Sequence, residues 1–275
     1  MQACAQDRAD ERDDFAVPAL DPPLDRVDVQ LYTLRSLMEE DVAATLEAVA
    51  RIGYQEVEFA GTFGHTAAQL REWLDASGLS APGAHIDPAQ LDPGRIEATL
   101  EDASVLGHRW LIQAFTPEDQ RTAGGYRRVA ENLNRAGEVG ASMGIRTGYH
   151  NHAFEFEPLE GTTGFDILAS ELDPEFADIE IDLHWCHVGG GDALALFAEY
   201  PGRFRLCHVK DANESGVMVD VGEGVIDWPS IFGQSEVAGL QHWFVEHDSP
   251  GDPLASAEAS FRYLKGPGPA ERSRG

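Results

Sequence analysis

Eight short runs of β-branched and apolar residues recur along the chain, each separated from the next by a stretch of helical period, and this alternation constrains the fold more than any other feature. The runs are 27–34, 55–59, 81–86, 109–114, 145–151, 178–183, 204–209 and 242–246. Stretches 39–52, 66–77, 93–106, 126–143, 192–200 and 228–237 read as helices between them. Gly53, Gly78, Gly107, Gly144 and Gly239 stand where left-handed caps would end such helices. Parallel strands need long crossovers, and helices supply them. Eight βα units therefore predict a single-domain α/β fold, a (β/α)8 TIM barrel over 27–265. An open doubly wound sheet is the alternative, but no GxGxxG follows the first run. Residues 1–26 read as a disordered leader and 266–275 as a flexible tail.

Composition narrows the partners. The 275 residues carry 48 Asp and Glu against 20 Lys and Arg, a formal charge of −28, and Lys210 and Lys265 are the only lysines. Such a surface repels phosphate backbones and anionic membranes, so neither nucleic acid nor membrane is an expected partner. An acidic, lysine-poor surface is similar to that of salt-adapted proteins. The blander alternative is an acidic protein whose genome favours Arg over Lys. No apolar run reaches the length of a membrane span. Three cysteines, Cys4, Cys186 and Cys207, give neither a disulfide framework nor CxxC spacing, and a cytoplasmic location is expected. The Ala3-Cys4 pair offers the other reading, an exported lipoprotein whose signal lies upstream. Homo-oligomerisation is compatible with the sequence.

In a barrel of this kind catalytic side chains stand where strands end. Four consecutive strand ends carry metal-ligand types: Tyr149-His150-Asn151-His152, Ile181-Asp182-Leu183-His184, Cys207-His208-Val209-Lys210-Asp211 and Val245-Glu246-His247-Asp248. One such histidine would be an ordinary structural residue. Four adjacent ends are harder to explain as packing, because buried charges cost several kcal/mol unless paired or metal-bound. Carboxylates and imidazoles together suit one divalent ion, Mn, Mg, Co or Zn. Neither a Walker motif nor a Ser-His-Asp arrangement is present, and no nucleotide cofactor is expected.

From Val27 to Leu264 the chain resembles the xylose-isomerase-like barrels, a family of sugar phosphate isomerases/epimerases, inosose isomerases and dehydratases, and tagatose-type 3-epimerases. The residues that carry the resemblance are the run from Gly148 to Phe156, Asp182 with Trp185, His208-Val209-Lys210-Asp211, Val221 to Trp228, and Val245-Glu246-His247-Asp248. The resemblance implies a metal held after strands 5, 6, 7 and 8, which here means His150, Asp182, His208 and Glu246. His150 departs from the family's glutamate, so the two-carboxylate base pair of the 3-epimerases is incomplete. His152 or Glu155 is the other candidate to hold the ion at that position. The implied chemistry is proton abstraction beside a carbonyl of a small sugar or cyclitol substrate. Glu246, His150, His152, Glu155 and Lys210 are the candidate catalytic groups, and Glu58, His85, Trp185 and Glu223 the candidate substrate contacts. The incomplete pair inclines the chemistry towards elimination. Abasic-site nucleases share the barrel, but the chain lacks the basic groove that phosphate binding needs. A non-catalytic sugar-binding barrel is the reading outside enzymology.

Overall fold

The structure, a computed structural model, describes residues 19–266. Eight parallel strands close a barrel: β1 Asp28–Gln30, β2 Glu56–Ala60, β3 Ser80–Ile86, β4 Trp110–Gln113, β5 Arg146–His150, β6 Ala177–Asp182, β7 Phe204–Val209 and β8 His242–Val245. Neighbours in sequence are neighbours in the sheet, and β8 closes onto β1. The outward face of the strands meets a ring of amphipathic helices, where the main apolar core lies. The principal helices are α1 Arg35–Glu40, α2 Val42–Ile52, α3 Ala67–Ser77, α4 Ile96–Leu106, α5 Ala123–Gly140, α6 Gly164–Glu171, α7 Leu183–Val188, α8 Ala193–Glu199, α9 Trp228–Gly233, α10 Ser235–Ala238 and α11 Pro253–Lys265.

Local chemistry explains the departures from the expected boundaries. The first run is a three-residue strand, because the Gln30 side chain accepts the Tyr32 N–H and turns the chain into a 3-10 helix over Leu31–Leu34. The stretch 39–52 divides at Asp41, whose carboxylate caps α2 through the Ala44 N–H. Residues 19–26 do not behave as the expected leader. Leu20 is buried, and the N–H groups of Leu20 and Leu24 donate to the carbonyls of Tyr263 and Leu264 at 2.9 Å. They pack on α11. The rest of the expected leader, including Cys4, and residues 267–275 of the expected tail lie outside the described residues.

Alternation along each strand sends every second side chain into the barrel, and the inward residues form layers. The floor is ionic: Arg146 meets Asp178 at 2.6 Å, and Arg26 meets Glu56 at 3.3 Å beside Asp28 and His242. Above it Trp110, Ile112, Leu206 and Phe244 form a small apolar plug. The next layers, up to the carboxyl ends, are almost entirely polar. Room for them comes partly from Gly83 on β3, where an added Cβ would stand 2.9 Å from Glu58 Oε1.

Candidate active site at the carboxyl ends of the strands

Two polar layers converge in the mouth. In the deeper one, Glu58 of β2 accepts from Gln30 Nε2 at 2.6 Å and meets His208 Nε2 at 2.7 Å. His85 Nε2 of β3 lies 2.7 Å from Glu180 Oε2 of β6, and His208 Nε2 lies 3.3 Å from the same oxygen. In the upper layer, His208 Nδ1 is 2.6 Å from Glu246 Oε2, at the end of β8. Lys210 Nζ stands between Glu246 (2.7 Å), Asp182 (2.9 Å) and Asp248 (2.9 Å). His208 and Lys210 thus face the same way, as two-residue spacing requires. The ion pairs of Lys210 are with these three carboxylates rather than with the adjacent Asp211.

Asp211 organises a loop instead. Its carboxylate accepts from the N–H groups of Gly222, Gly224 and Ile226 and from Trp228 Nε1. At Gly224 a side chain would collide with that carboxylate, since its Cβ would fall 2.1 Å from Asp211 Oδ1. This gathering carries Glu223 to a neighbouring hollow beside His247 and Asp220, apart from the cavity that His85, Lys210 and Glu246 line.

Asp182 serves two elements. One oxygen caps α7 through the Trp185 N–H at 2.8 Å, and the other, Oδ2, is buried in the mouth without a well-aligned hydrogen bond. His150 sits between layers, its Nε2 3.5 Å from Asp182 Oδ2 and its Nδ1 3.3 Å from Glu180 Oε2. Glu155 faces away from the cavity, accepting the Tyr149 hydroxyl and the His152 N–H at 2.6 Å each. Trp185 packs beside the His152 ring.

Burial dominates the electrostatics. It raises the Asp182 carboxyl to about 6, the Glu58 carboxyl to about 7 and the Glu155 carboxyl to about 7. Burial and then the Lys210 charge lower His152 to about 3, so its ring is neutral at ordinary pH. For Glu246, burial is outweighed by Lys210 and then His208, which hold it well below the usual carboxylate range. His208 is held well above its ordinary value against burial, by Glu180 first and then Glu246.

The cavity at this mouth is about 230 Å³ and is lined by Tyr32, Phe115, His152, Lys210, Glu246 and other residues named above. That is below the roughly 300–1,000 Å³ of sites for drug-sized ligands, and suits a compact molecule. Asp182, His208 and Glu246 bring one donor atom each to within 4.8 Å of one another. Two carboxylates and an imidazole, one carboxylate oxygen lacking a good partner, fit a divalent ion.

Sequence comparison matches residues 46–266 to the xylose isomerase-like TIM barrel family. The chain belongs to this family. Among individual relatives, it is 26% identical over 242 residues to a 2-oxo-tetronate isomerase of Cupriavidus necator, covering 79% of this chain and 90% of the relative. It is 29% identical over 135 residues to an inosose dehydratase of Geobacillus thermodenitrificans, covering 42% of this chain and 45% of the relative. The match thus spans about half the length of such dehydratases. Among solved structures, a sugar phosphate isomerase/epimerase of Parabacteroides distasonis superposes with a TM-score of 0.77 at 25% identity, over 90% of this chain and 99% of that one. The relatives are enzymes of small sugar-like molecules, and no helix among the described residues is long and apolar enough to cross a membrane.

Sequence reasoning missed Glu180, Gln30, Asp248, Tyr32 and Phe115 as parts of this site. The signal for Glu180 was present: Asp178, Glu180 and Asp182 alternate along one strand, so all three point inward.

Proposed function

We propose that this chain is a divalent-metal-dependent isomerase or epimerase of a small sugar or keto-sugar, working by proton transfer beside a carbonyl. The observation that carries the reading is Glu246, a buried carboxylate kept ionised by Lys210 and His208 at the edge of a sugar-sized cavity.

Asp182, His208 and Glu246 are the residues that would hold the ion, with His150 Nε2 nearest to join them. Such an ion supplies Lewis-acid polarisation of the substrate carbonyl. Lys210, on its four-carbon stem, turns from the carboxylates to a substrate oxygen, which frees Glu246 to accept the proton from the neighbouring carbon. The electron pair left behind moves into the C–C bond and gives an enediolate. His152, a neutral imidazole on the cavity wall whose protonation burial disfavours, would hold a substrate hydroxyl by hydrogen bonding. Return of a proton to the other carbon completes isomerisation, and return to the opposite face completes epimerisation. Glu155 acts through His152, whose backbone it holds, and Phe115 supplies an apolar wall.

A second reading is a lyase that dehydrates an inosose or opens a 3-keto-glycoside. It is favoured by His150, which leaves one carboxylate base where a pair of bases would be needed for epimerisation at one carbon. From the same enediolate, the pair of electrons would expel a β-hydroxyl, which takes the proton held by Glu246 and leaves as water. The matches to inosose dehydratases point the same way.

The test is incubation of the metal-loaded protein with a panel of ketoses, 2-oxo sugar acids and inososes, followed by NMR and ultraviolet absorbance. A new isomer supports the first reading and an unsaturated ketone the second. Tight binding of panel members without turnover would assign a non-catalytic sugar-binding barrel.

A further inference from the structure

One layer below the metal-ligand set of the proposed function lies a second group with different chemistry. His85, His150, Glu180 and His208 each bring one ligand atom to within 4.8 Å of the others. Glu180 is the centre of the group: its Oε2 is 2.7 Å from His85 Nε2, 3.3 Å from His150 Nδ1 and 3.3 Å from His208 Nε2. The side chains of Glu180 and His208 are wholly buried and that of His150 nearly so, while His85 reaches the cavity rim at 16% exposure.

Hydrogen bonding within the protein leaves this group incomplete. Glu180 Oε1, His150 Nδ1 and Glu58 Oε1 are buried and accept or donate nothing. Orphans of this kind are rare in native interiors, and two of them inside the group, with Glu58 Oε1 beside it, mark the place of a missing partner. Lys210 lies 2.9 Å from Asp182 Oδ2 and 2.7 Å from Glu246 Oε2 in the upper layer, and no ion pair joins it to Glu180 among the described residues. The far sides of the imidazoles also suit a metal. A ligating imidazole usually gives its other ring N–H to a carboxylate, and the other nitrogens of His208 and His150 face Glu246 at 2.6 Å and Asp182 at 3.5 Å.

We propose that His85 Nε2, His150 Nδ1, His208 Nε2 and Glu180 form a metal site of their own, distinct from the Asp182–His208–Glu246 set and one layer deeper. His208 gives Nε2 to this site and keeps its Nδ1–H on Glu246, so one chain fills either this set or the upper one. Three imidazoles and one carboxylate select a borderline transition ion, Zn, Co or Fe(II), over Mg. The departure from glutamate at His150 supplies the nitrogen that makes the deeper set possible.

Cobalt(II) tests the proposal directly, because its visible bands report nitrogen ligation whether or not the protein turns over any substrate. The probes are elemental analysis and Co(II) titration of the wild type, an Asp182→Asn/Glu246→Gln double variant, Glu180→Gln and His85→Asn. The double variant removes the upper donors, and it is expected to keep about one Co(II) per chain with its visible spectrum. Glu180→Gln and His85→Asn are each expected to weaken that binding roughly a hundredfold or more. His85→Asn, at the rim, serves if Glu180→Gln does not fold by circular dichroism. A double variant that binds no Co(II), or a Glu180 or His85 variant that binds it as the wild type does, would overturn the deeper site. Failure of the proposed catalysis would appear separately, as Co(II) bound at the deeper site with no turnover of any panel compound.

Discussion

Lys210 Nζ lies 2.7 Å from Glu246 Oε2, so the group that is to take a proton and the group that is to hold a substrate oxygen are bound to each other before substrate arrives. Lys210→Met would leave Asp182 and Glu246 buried without their cation. Metal-free stability should then fall by about 3–5 kcal/mol, the range for breaking a buried ion pair from one side. Saturating divalent ion should restore much of the loss by replacing the missing charge. Turnover should drop roughly a hundredfold or more. Denaturant unfolding with and without metal, beside kcat, checks all of these, and an unchanged metal-free midpoint would contradict the ion-pair account.

The cavity's polar floor depends on a missing side chain. Gly83→Ala places a Cβ 2.9 Å from Glu58 Oε1, and Glu58 cannot swing freely while Gln30 and His208 hold it. A loss of about 1–3 kcal/mol is expected from such overpacking. Gly233→Ala, with nothing close to its would-be Cβ, is the comparison and should cost far less. Thermal midpoints of the two variants decide it.

Much of this site was legible because inward direction follows from alternation. Asp182, His208, Glu246, Glu58 and His85 all converge as strand-end reasoning anticipates, and Lys210 follows His208 onto the same face. Glu180 could have been read in the same way. Other features depend on contacts between distant parts of the chain. Nothing local reveals that Asp211 gathers the loop from Gly222 to Trp228 and so carries Glu223 out of the cavity. The first strand looked long because Leu31 and Leu34 are apolar, yet they belong to the 3-10 turn that Gln30 starts. The segment 19–26 reads as a polar leader until α11 is in place to receive Leu20.

His108 gives stability a defined pH dependence. It is buried beneath β3, Nδ1 2.7 Å from the Ala81 carbonyl, and burial lowers its pKa from 6.5 to about 4. The unfolded chain takes up the proton first as pH falls. Its contribution is therefore full above about pH 6.5, is lost progressively down to about pH 4, and is level below that. The span corresponds to about 3 kcal/mol at most. His108→Asn should flatten this part of the curve of unfolding free energy against pH. An identical slope in the variant would assign the dependence to other groups.

The formal charge of −28 predicts a strong response to salt. Raising KCl from about 0.1 M to about 2 M shortens the Debye length from about 10 Å to under 3 Å and screens the self-repulsion of the surface. The melting temperature should rise by several degrees. A flat or falling midpoint would show that the acidic surface is neutral for stability.

The most direct test of the account is solvent deuterium exchange at the carbon next to the carbonyl. A keto-sugar or inosose from the panel is followed by proton NMR in D2O, using metal-loaded protein, chelator-stripped protein and loaded Glu246→Gln. The account predicts exchange with the loaded wild type, with or without net conversion, and its loss on stripping and in the variant. Exchange that survives both the chelator and Glu246→Gln would contradict metal-assisted proton transfer through Glu246.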